Sequence, residues 1–455
     1  MARYVTYALV WLALTAEVEG YIFHGLWSTW LTFVGTIVFK TIPLIKIVPW
    51  DLATVLVLLT STLPKKGSLL EVRKSILLCF TGMFALWFWG ILRGGSAYQT
   101  LFQTHSFLVQ LLLALAVMTT CKTRAHVRML GIVIVSAAVY RAGVLFTFYL
   151  SVAQYLPEKL PTLTDHADSV LFVVGLFIVL LNALERRTPD AMLCAVLMTA
   201  VMFTAMVMNN RRIAWLDVGA GFAATYLLMP KGPLKKRMTI ALTAMSPLLV
   251  AYIAIGWGSP TGIFKPVGSI STMFGDNQDP SSIMRDIENY NLLRTLKGNP
   301  LLGSGWGHEY VEEVVAYSIA DIFPQYRFLP HNSLLGIVAF TGLIGFTMIW
   351  QFVMVSNYML ARVCFESKDK VLRVAAHASL IAVITVIVQF WGDVGFNHLG
   401  VNCVLAVTVG LAGRLPLLAK IWPLPPPRTS DARNDVQDRK DPERTEPSPP
   451  LADFA

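Results

Sequence analysis

Long apolar segments recur along almost the whole chain, and they constrain its fold more than any other feature of the sequence. Only 14% of the 455 residues are charged, whereas soluble domains carry about 25% charged residues. This deficit extends over most of the length, so it indicates many separate apolar segments and excludes one large soluble core. Because a helix needs roughly 20 apolar residues to span a bilayer, we predict that these segments cross a membrane.

The apolar segments number about thirteen, although Pro43 and Pro49 make the first three irregular. We therefore predict an all-α integral membrane protein with about 11–13 transmembrane helices. Glu17 and Glu19 stand where a cleavable signal peptide would have small residues, so no such peptide is predicted. The predicted spans centre on residues 4–22, 26–45, 48–63, 74–92, 99–120, 129–149, 169–184, 191–209, 213–229, 238–257, 333–357, 372–391 and 395–412.

Short connectors rich in lysine and arginine alternate with connectors poor in them, which predicts the orientation. The rich connectors are at residues 65–74, 122–128, 186–187, 231–237 and 362–373. By the positive-inside rule they face the cytoplasm. The net charge of +9 then reflects membrane topology, and no nucleic-acid partner is predicted. The long polar loop of residues 258–332 is placed on the external side, and its five basic against eight acidic residues suit that side.

The chain is predicted to form one polytopic membrane domain over residues 1–413. The tail of residues 423–455 is rich in proline and mixed charge, so we predict that it is disordered in the cytoplasm. The five cysteines lie in predicted spans or at cytoplasmic connectors, which argues against a disulfide framework. They form no Cys-x-x-Cys pair, and neither a metal site nor a cofactor is predicted.

The external loop is too long for a plain connector and has internal structure in its pattern. Apolar residues recur at helical spacing over residues 281–297, which predicts a helix on the membrane surface or packed over the mouth of the helix bundle. Gly298-Asn-Pro300 would end that helix. A glycine-rich run with Gly303, Gly305 and Gly307 follows, and a second short helix is predicted around residues 309–322.

Arginines at the external face are candidate ligands for an anion. Arg211 and Arg212 join two apolar spans at the end where arginine is disfavoured, so a partner is expected. A guanidinium pair could hold a diphosphate bidentately. Alternatively, both side chains reach lipid phosphates or pair with Asp217. Arg294 ends the predicted loop helix, and it is either an anion ligand or a solvated charge.

His331 at the start of the next span is the candidate catalytic base, because histidine can take a proton from a sugar hydroxyl near neutral pH. The alternative is a role in capping the helix, which Asn332 or Ser333 could also fill. The N–H groups around Gly303 and Gly305 could face an anion, or the run could be only a tight turn. It is not a Walker loop, because no Gly-Lys-Ser/Thr follows.

Other polar residues near the external face are assigned supporting roles. Arg141 lies within a span and is expected to be a functional or pairing residue, with Glu17, Glu19 or a phosphate as its partner. His308 and Arg327 are weaker candidates for contacts in the loop. At a further external helix junction, Asp393, Asn397 and His398 are expected to line the same cavity as these candidate site residues.

Taken together, these motifs resemble the O-antigen ligase and polymerase superfamily of bacterial envelope biogenesis. The similarity rests on an arginine followed by Pro-Leu-Leu-Gly-x-Gly-x-Gly, then His-Asn-Ser-x-Leu at His331 and a helix punctuated by Gly336, Gly342 and Gly345. The segment from Asn210 to Leu216 is similar to the family's Ser-Arg-Gly-Ala-Trp-Leu, with Arg212 at the family arginine. The motifs cover roughly residues 190–412, and Arg211 in place of serine is the main departure.

The resemblance implies a metal-independent glycosyltransferase of the GT-C type, without cofactor, in the bacterial inner membrane. Such enzymes transfer a glycan, with inversion, from undecaprenyl diphosphate to an acceptor hydroxyl in the periplasm. Carried over, Arg212 and Arg294, with Arg211, would bind the donor diphosphate. His331 would orient or deprotonate the acceptor hydroxyl. Asn332, Gly303 and Gly305 are also predicted to support the site. Fixed guanidinium groups can stabilise the charge of a diphosphate leaving group without a metal.

The resemblance leaves alternatives open. A ligase would use a lipid A–core sugar as acceptor, whereas a polymerase would use a second lipid-linked glycan, and the motifs favour the ligase slightly. A membrane transporter should have broken helices at midplane and paired repeats, and no internal repeat is evident. A structural subunit of an envelope machine would tolerate replacement of the arginines and His331.

Overall fold

The computed structural model describes residues 1–15, 48–61, 67–158, 160, 162–259, 262–274, 280–315 and 324–422. The second predicted span, Glu17 and Glu19, most of the second predicted loop helix and the tail from residue 423 lie outside the described residues. Within the described part the chain is 81% helical and forms no strand. The prediction of an all-α integral membrane protein is confirmed.

The helices follow the predicted apolar segments closely. They are α1 (Ala2–Thr15), α2 (Pro49–Leu59), α3 (Ser68–Leu92), α4 (Ala97–Thr120), α5 (Arg124–Ser151), α6 (His166–Arg186), α7 (Pro189–Asn209), α8 (Arg212–Leu228), α9 (Pro233–Gly256), α10 (Lys265–Phe274), α11 (Pro280–Gly298), α12 (Ser333–Glu366), α13 (Lys370–Gly392) and α14 (Leu399–Leu418). Nine helices of the described part are long and apolar enough to cross a membrane, namely α3–α7, α9 and α12–α14.

The C-terminal helix α14 lies at the centre of the bundle. It packs against α3, α4, α12 and α13, and most of its side chains are buried. In contrast, α9 leaves most of its apolar side chains exposed. Because a bilayer is itself apolar, such a helix can remain stable in contact with lipid.

The helix α12 is broken near its start, and the preceding loop completes it. Gly342 has φ 64° and ψ −176°, which no α-helix contains. Its neighbours Leu343 and Ile344 donate their N–H groups to the carbonyls of Pro300 and Leu301, at 2.9 and 3.1 Å. Irregular backbone within a membrane bundle must satisfy its polar groups inside the protein. Residues 300–307, named here the glycine segment, provide these partners.

The glycine segment requires glycine where its backbone meets the helices. Gly303 has φ +65° and Gly305 has φ +93°, a region that side-chain-bearing residues rarely adopt. A Cβ atom on Gly305 would lie 2.4 Å from the Cα of Gly90 in α3. The segment therefore fits only because these positions lack side chains.

The predicted loop helix exists as α11, but the polar face is the one that it buries. Its buried residues include Ser282, Glu288, Asn291 and Thr295, whereas Ile283 is 46% exposed. Asn291 accepts N–H groups from residues 313 and 314, and Thr295 accepts that of residue 311. Packing over the bundle mouth therefore combines hydrogen bonds to the following loop with burial of Leu292, while Ile283 and Leu293 stay exposed. The second loop helix is not formed over residues 309–315, which these bonds hold in an irregular course.

Candidate active site

The polar face of α11 and the residues before α12 enclose a cavity of about 260 Å³. Its lining combines a cation, carboxylates, tyrosines and a histidine, which is unusual in a chain so poor in charge. The lining residues are Ser281, Met284, Arg285, Ile287, Glu288, Asn291, Tyr310, Glu312, Val314, Tyr326 and His331. We call this the His331 cavity.

His331 is held by Glu288 through two contacts. The backbone N–H of His331 donates to Oε2 of Glu288 at 3.0 Å, and its Nδ1 lies 3.4 Å from Oε1. The Glu288 side chain is only 9% exposed, whereas that of His331 is 34% exposed. Since Nδ1 faces the buried carboxylate, Nε2 is the ring nitrogen left for a substrate in the cavity.

The surroundings of His331 also set its proton affinity. Burial favours the neutral ring, but the hydrogen bond to Glu288 and the charges of Glu288 and Asp393 outweigh burial. The pKa of His331 is consequently raised above the ordinary histidine value, even though Arg285 opposes the shift. His331 is therefore a stronger base than a histidine in water.

Arg285 is the cation of the cavity wall. It lies one turn before Glu288 on α11, so both side chains project from the same face of the helix. Among the described residues, no carboxylate forms an ion pair with Arg285 within 4.0 Å. Its guanidinium is positioned to neutralise an anion that enters the cavity.

Arg212 reaches the same cavity from α8. Its Nη2 donates to the hydroxyl of Ser281 at 2.8 Å, and Ser281 is a lining residue. Arg212 is the first residue of α8, where the positive end of the helix dipole adds to its charge. Two arginines from different helices thus approach the cavity that contains His331.

Arg211 points away from this cavity toward the loop before α6. Its Nε and Nη2 donate to the carbonyl of Thr164, and its Nη1 lies 2.6 Å from Nε2 of His166. Because a guanidinium only donates, Nε2 of His166 must accept, which places the ring proton on Nδ1. That Nδ1 lies 2.8 Å from Oδ2 of Asp393. Neither carboxylate oxygen of Asp217, the alternative partner, has a hydrogen bond within the described residues.

A second polar junction lies beside Arg211. Asp165 contacts Nε2 of His398 and caps α6 through His166. Burial disfavours the ionised form of Asp165, but the two histidines outweigh it and hold its pKa below the usual range. Asp393, Asn397 and His398 were expected to line the same cavity, but none of them is among the residues that line the His331 cavity. The charge of Asp393 nevertheless favours the protonated form of His331. This junction fixes the ends of α6, α8, α13 and α14 around the His331 cavity.

The other candidate cations of the loop have carboxylate partners. Arg294 forms a bidentate pair with Glu313, and the two side chains are 42% and 41% exposed. Arg327 pairs with Glu309 and donates to the carbonyl of Tyr310. Arg294 does not line the His331 cavity, although Asn291 and Val314 beside this pair do.

The remaining predicted residues have structural contacts. Arg141 forms a bidentate ion pair with Asp168, and both side chains are 4% exposed. His308 contacts the carbonyl of Gly90 at 3.0 Å. Asn332 is the N-cap of α12, with its side chain accepting the N–H of Leu335. The capping role considered for Asn332 is confirmed.

The backbone N–H groups of the glycine segment are occupied by the protein. Those of Ser304 and Gly305 donate to the carbonyls of Ala339 and Phe340, and that of Gly303 donates to Asn299. The N–H of Gly307 donates to Oε1 of Gln103 at 2.6 Å. These contacts favour the tight-turn alternative over an anion-binding loop.

A larger cavity of about 900 Å³ lies between α5, α6, α13 and α14. Its walls are mainly apolar. Its charged residues, Arg128, Arg186, Asp190 and Lys370, lie near the ends of α5, α6, α7 and α13 that are opposite to His331. Because no histidine lines it, this cavity offers no counterpart of His331 as a base, and its size does not make it the reaction site. Lipid chains suit such walls better.

The sequence analysis did not identify Glu288 and Arg285 as site residues, although one feature of the sequence could have indicated both. They lie on the polar face of a predicted amphipathic helix just before the candidate base. No functional role was predicted for the residues of that face. Within the described residues, no group of three or more His, Cys, Asp or Glu side chains is arranged to hold a metal ion.

Comparison with known proteins places these residues in one matched segment. Residues 195–350 match the family model described as O-antigen ligase. The match begins within α7, contains Arg212, Arg285, Glu288 and His331, and ends after the break in α12. Among curated proteins, none matches this chain.

Proposed function

Because the chain belongs to the O-antigen ligase superfamily, we propose that it is an inverting glycosyltransferase that moves a glycan from undecaprenyl diphosphate to a sugar hydroxyl. The acceptor would be lipid A–core, as in an O-antigen ligase. We further propose that the site faces the periplasm from the inner membrane, within a membrane domain of residues 1–413. The tail of residues 423–455 would then be cytoplasmic.

One observation carries the proposal: a single cavity joins a histidine base to cations from two helices. His331 and Arg285 line it, and Arg212 reaches it through Ser281. A lipid-linked diphosphate needs cations for its phosphates and apolar contacts for its chain. Met284 and Ile287 on the cavity wall and the exposed Ile283 on α11 supply apolar surface next to Arg285.

The proposed step balances without a further reactant. The acceptor oxygen forms a bond to the anomeric carbon while the bond from that carbon to the diphosphate oxygen breaks. The diphosphate leaves with the electron pair, and Nε2 of His331 takes the acceptor proton. Arg212 and Arg285 stabilise the charge that grows on the leaving diphosphate. We propose that they do so without a metal ion.

Arg211 and Arg294 have different places in this proposal. Arg294 pairs with Glu313 and does not line the His331 cavity, so we propose that it contributes little to donor binding. Arg211 is engaged by Thr164 and His166, so we propose that it supports the wall instead of contacting phosphate. Arg212 is thus the member of the pair that faces the donor.

The transporter alternative gains no support from the break in α12. Broken helices in transporters expose backbone groups to a substrate. Here the backbone around Gly342 bonds to Pro300 and Leu301 of the glycine segment instead. A polymerase differs from a ligase only in its acceptor, so the assay must offer both acceptors.

The test is glycan transfer by the purified full chain in lipid nanodiscs. The substrates are an undecaprenyl-diphosphate-linked glycan with lipid A–core, or with a second lipid-linked glycan, and products are resolved by mass. We expect transfer to lipid A–core that resists a metal chelator. We expect His331→Ala to lower the rate by about 10²–10⁴-fold, the usual contribution of a general base.

The matched control is His126→Ala, because His126 lies in the first turn of α5, near the end of the bundle opposite to His331. It should transfer at the wild-type rate. Full activity of His331→Ala would overturn the catalytic assignment, and loss of transfer with chelator would overturn the metal-free mechanism. Transfer only to a second lipid-linked glycan would make the protein a polymerase.

A further inference from the structure

Glu288 is the only carboxylate whose oxygens contact both the ring and the backbone of His331 among the described residues. It belongs to α11, whereas His331 precedes α12, and 43 residues separate them in the chain. The contact therefore exists only because α11 packs its polar face inward. A carboxylate in this place does not stabilise the helix itself, so it calls for another explanation.

Burial of the Glu288 carboxylate costs free energy unless other groups pair with its charge. Its side chain is 9% exposed in a protein that buries few charges, and an unpaired buried carboxylate would be strongly unfavourable. The N–H of His331 and the imidazole satisfy its two oxygens. The ring is thereby fixed with the Nδ1 proton toward Glu288.

We propose that Glu288 is the positioning residue of the base: it holds His331 in the tautomer whose Nε2 faces the acceptor and stabilises the imidazolium that forms during transfer. This inference rests on the proposed glycosyl transfer. Glu288 itself exchanges no proton with the acceptor. It keeps the Nδ1 proton of His331 in place while Nε2 takes the acceptor proton.

Other charged groups also face this pair and shape its titration. Asp393 at the end of α13 favours the protonated imidazole, and Arg285 on α11 disfavours it. From the loop, Tyr310 and Glu312 line the same cavity. Burial, and then the charge of Glu288, raise the pKa of the Tyr310 hydroxyl. Among these groups, Glu288 is the one in direct contact with the ring of His331.

The sign of the pH dependence follows from the raised pKa of His331. A general base acts in its neutral form, so transfer should increase with pH as His331 loses its proton. Because Glu288 raises that pKa, the acidic limb of the wild-type rate profile lies at higher pH than an ordinary histidine would give. Removal of the Glu288 charge should move the limb to lower pH.

The experiment compares wild type with Glu288→Gln, because a glutamine oxygen can still accept the backbone N–H of His331 but carries no charge. We expect kcat at the plateau to decrease on the order of 10-fold or more, with the donor KM nearly unchanged. We expect the acidic limb to move to lower pH. Glu288→Asp keeps the charge, so it should recover part of the rate, and its acidic limb should lie closer in pH to that of wild type.

A second measurement does not depend on transfer. The ring of His331 can be titrated by NMR in histidine-labelled protein, with His331→Ala for assignment, and Glu288→Gln should lower its pKa. If wild type and Glu288→Gln have the same pH profile and the same His331 titration, the positioning role is wrong. If the titrations differ but wild type transfers nothing, the contact stands and the proposed function fails.

Discussion

Two parts of the long polar loop look alike in the sequence but differ in the structure. The glycine segment and the α11–His331 region are both polar, both lie beside membrane helices, and both suggest an anion site. In the glycine segment, the backbone donors are bonded to α12 and Gln103. In the α11–His331 region, side chains of Arg285 and His331 line an open cavity. Residue type alone does not indicate a site; the hydrogen-bonding groups must also remain available to a ligand.

The largest expected effect tests the role of the glycine segment in the fold. Gly305→Ala would place a Cβ 2.4 Å from the Cα of Gly90 at a φ of +93°. Backbone strain alone costs about 1–3 kcal/mol, and the clash adds to it. We expect little folded protein, measured by the monodisperse fraction in detergent. The control Gly298→Ala, with no atom within 4 Å of the added Cβ, should fold normally.

The next effect tests which arginine serves the cavity. We expect Arg285→Ala to lower transfer by about 10²–10³-fold, because a lost donor to a developing anion has that effect. Arg294→Ala should keep most of the rate, since Arg294 is exposed and paired with Glu313. Both rates are measured at saturating acceptor in protein of normal melting temperature. The sequence-based hypothesis about Arg294 predicts the reverse order, so these two variants decide between them.

The smallest effect is expected where the loop is tied to α4. Gln103 is buried, accepts the N–H of Gly307 and donates to the carbonyl of Phe328. Gln103→Leu leaves both groups unpaired, at about 1–3 kcal/mol each. The apparent melting temperature should decrease, while the transfer rate of each folded molecule is retained. An unchanged melting temperature would show that these bonds do not stabilise the loop.

The sequence was sufficient for the fold class and for the larger elements. The length of the apolar segments predicted α3–α9 and α12–α14, and the helical spacing of apolar residues over residues 281–297 predicted α11. Asn332 was one of the residues considered for the cap of α12, because capping is a local interaction that the sequence can indicate. The predicted orientation, with residues 258–332 outside, stays a prediction that a topology reporter can test.

Long-range pairing could not be predicted from the sequence. The spacing on α11 predicted a helix, but it did not indicate which face the helix buries. The following loop supplies backbone N–H donors that form hydrogen bonds with the polar face. Glu288 was counted only as one of the eight acidic residues of the external loop. Arg141 was correctly expected to need a partner, yet Asp168 is in a different helix and only packing brings them together. Such contacts depend on the arrangement of helices, which local patterns do not contain.

The docking of the glycine segment into the break of α12 affects how related sequences should be interpreted. Its glycine motif is the most recognisable sequence motif in the chain, but the motif reflects only the close packing of backbone against backbone. A relative could keep them, and thus the architecture, after losing Arg285 or His331. Such a protein would carry the family signature without the proposed activity. An assignment of function should therefore check the cavity residues separately from the glycine motif.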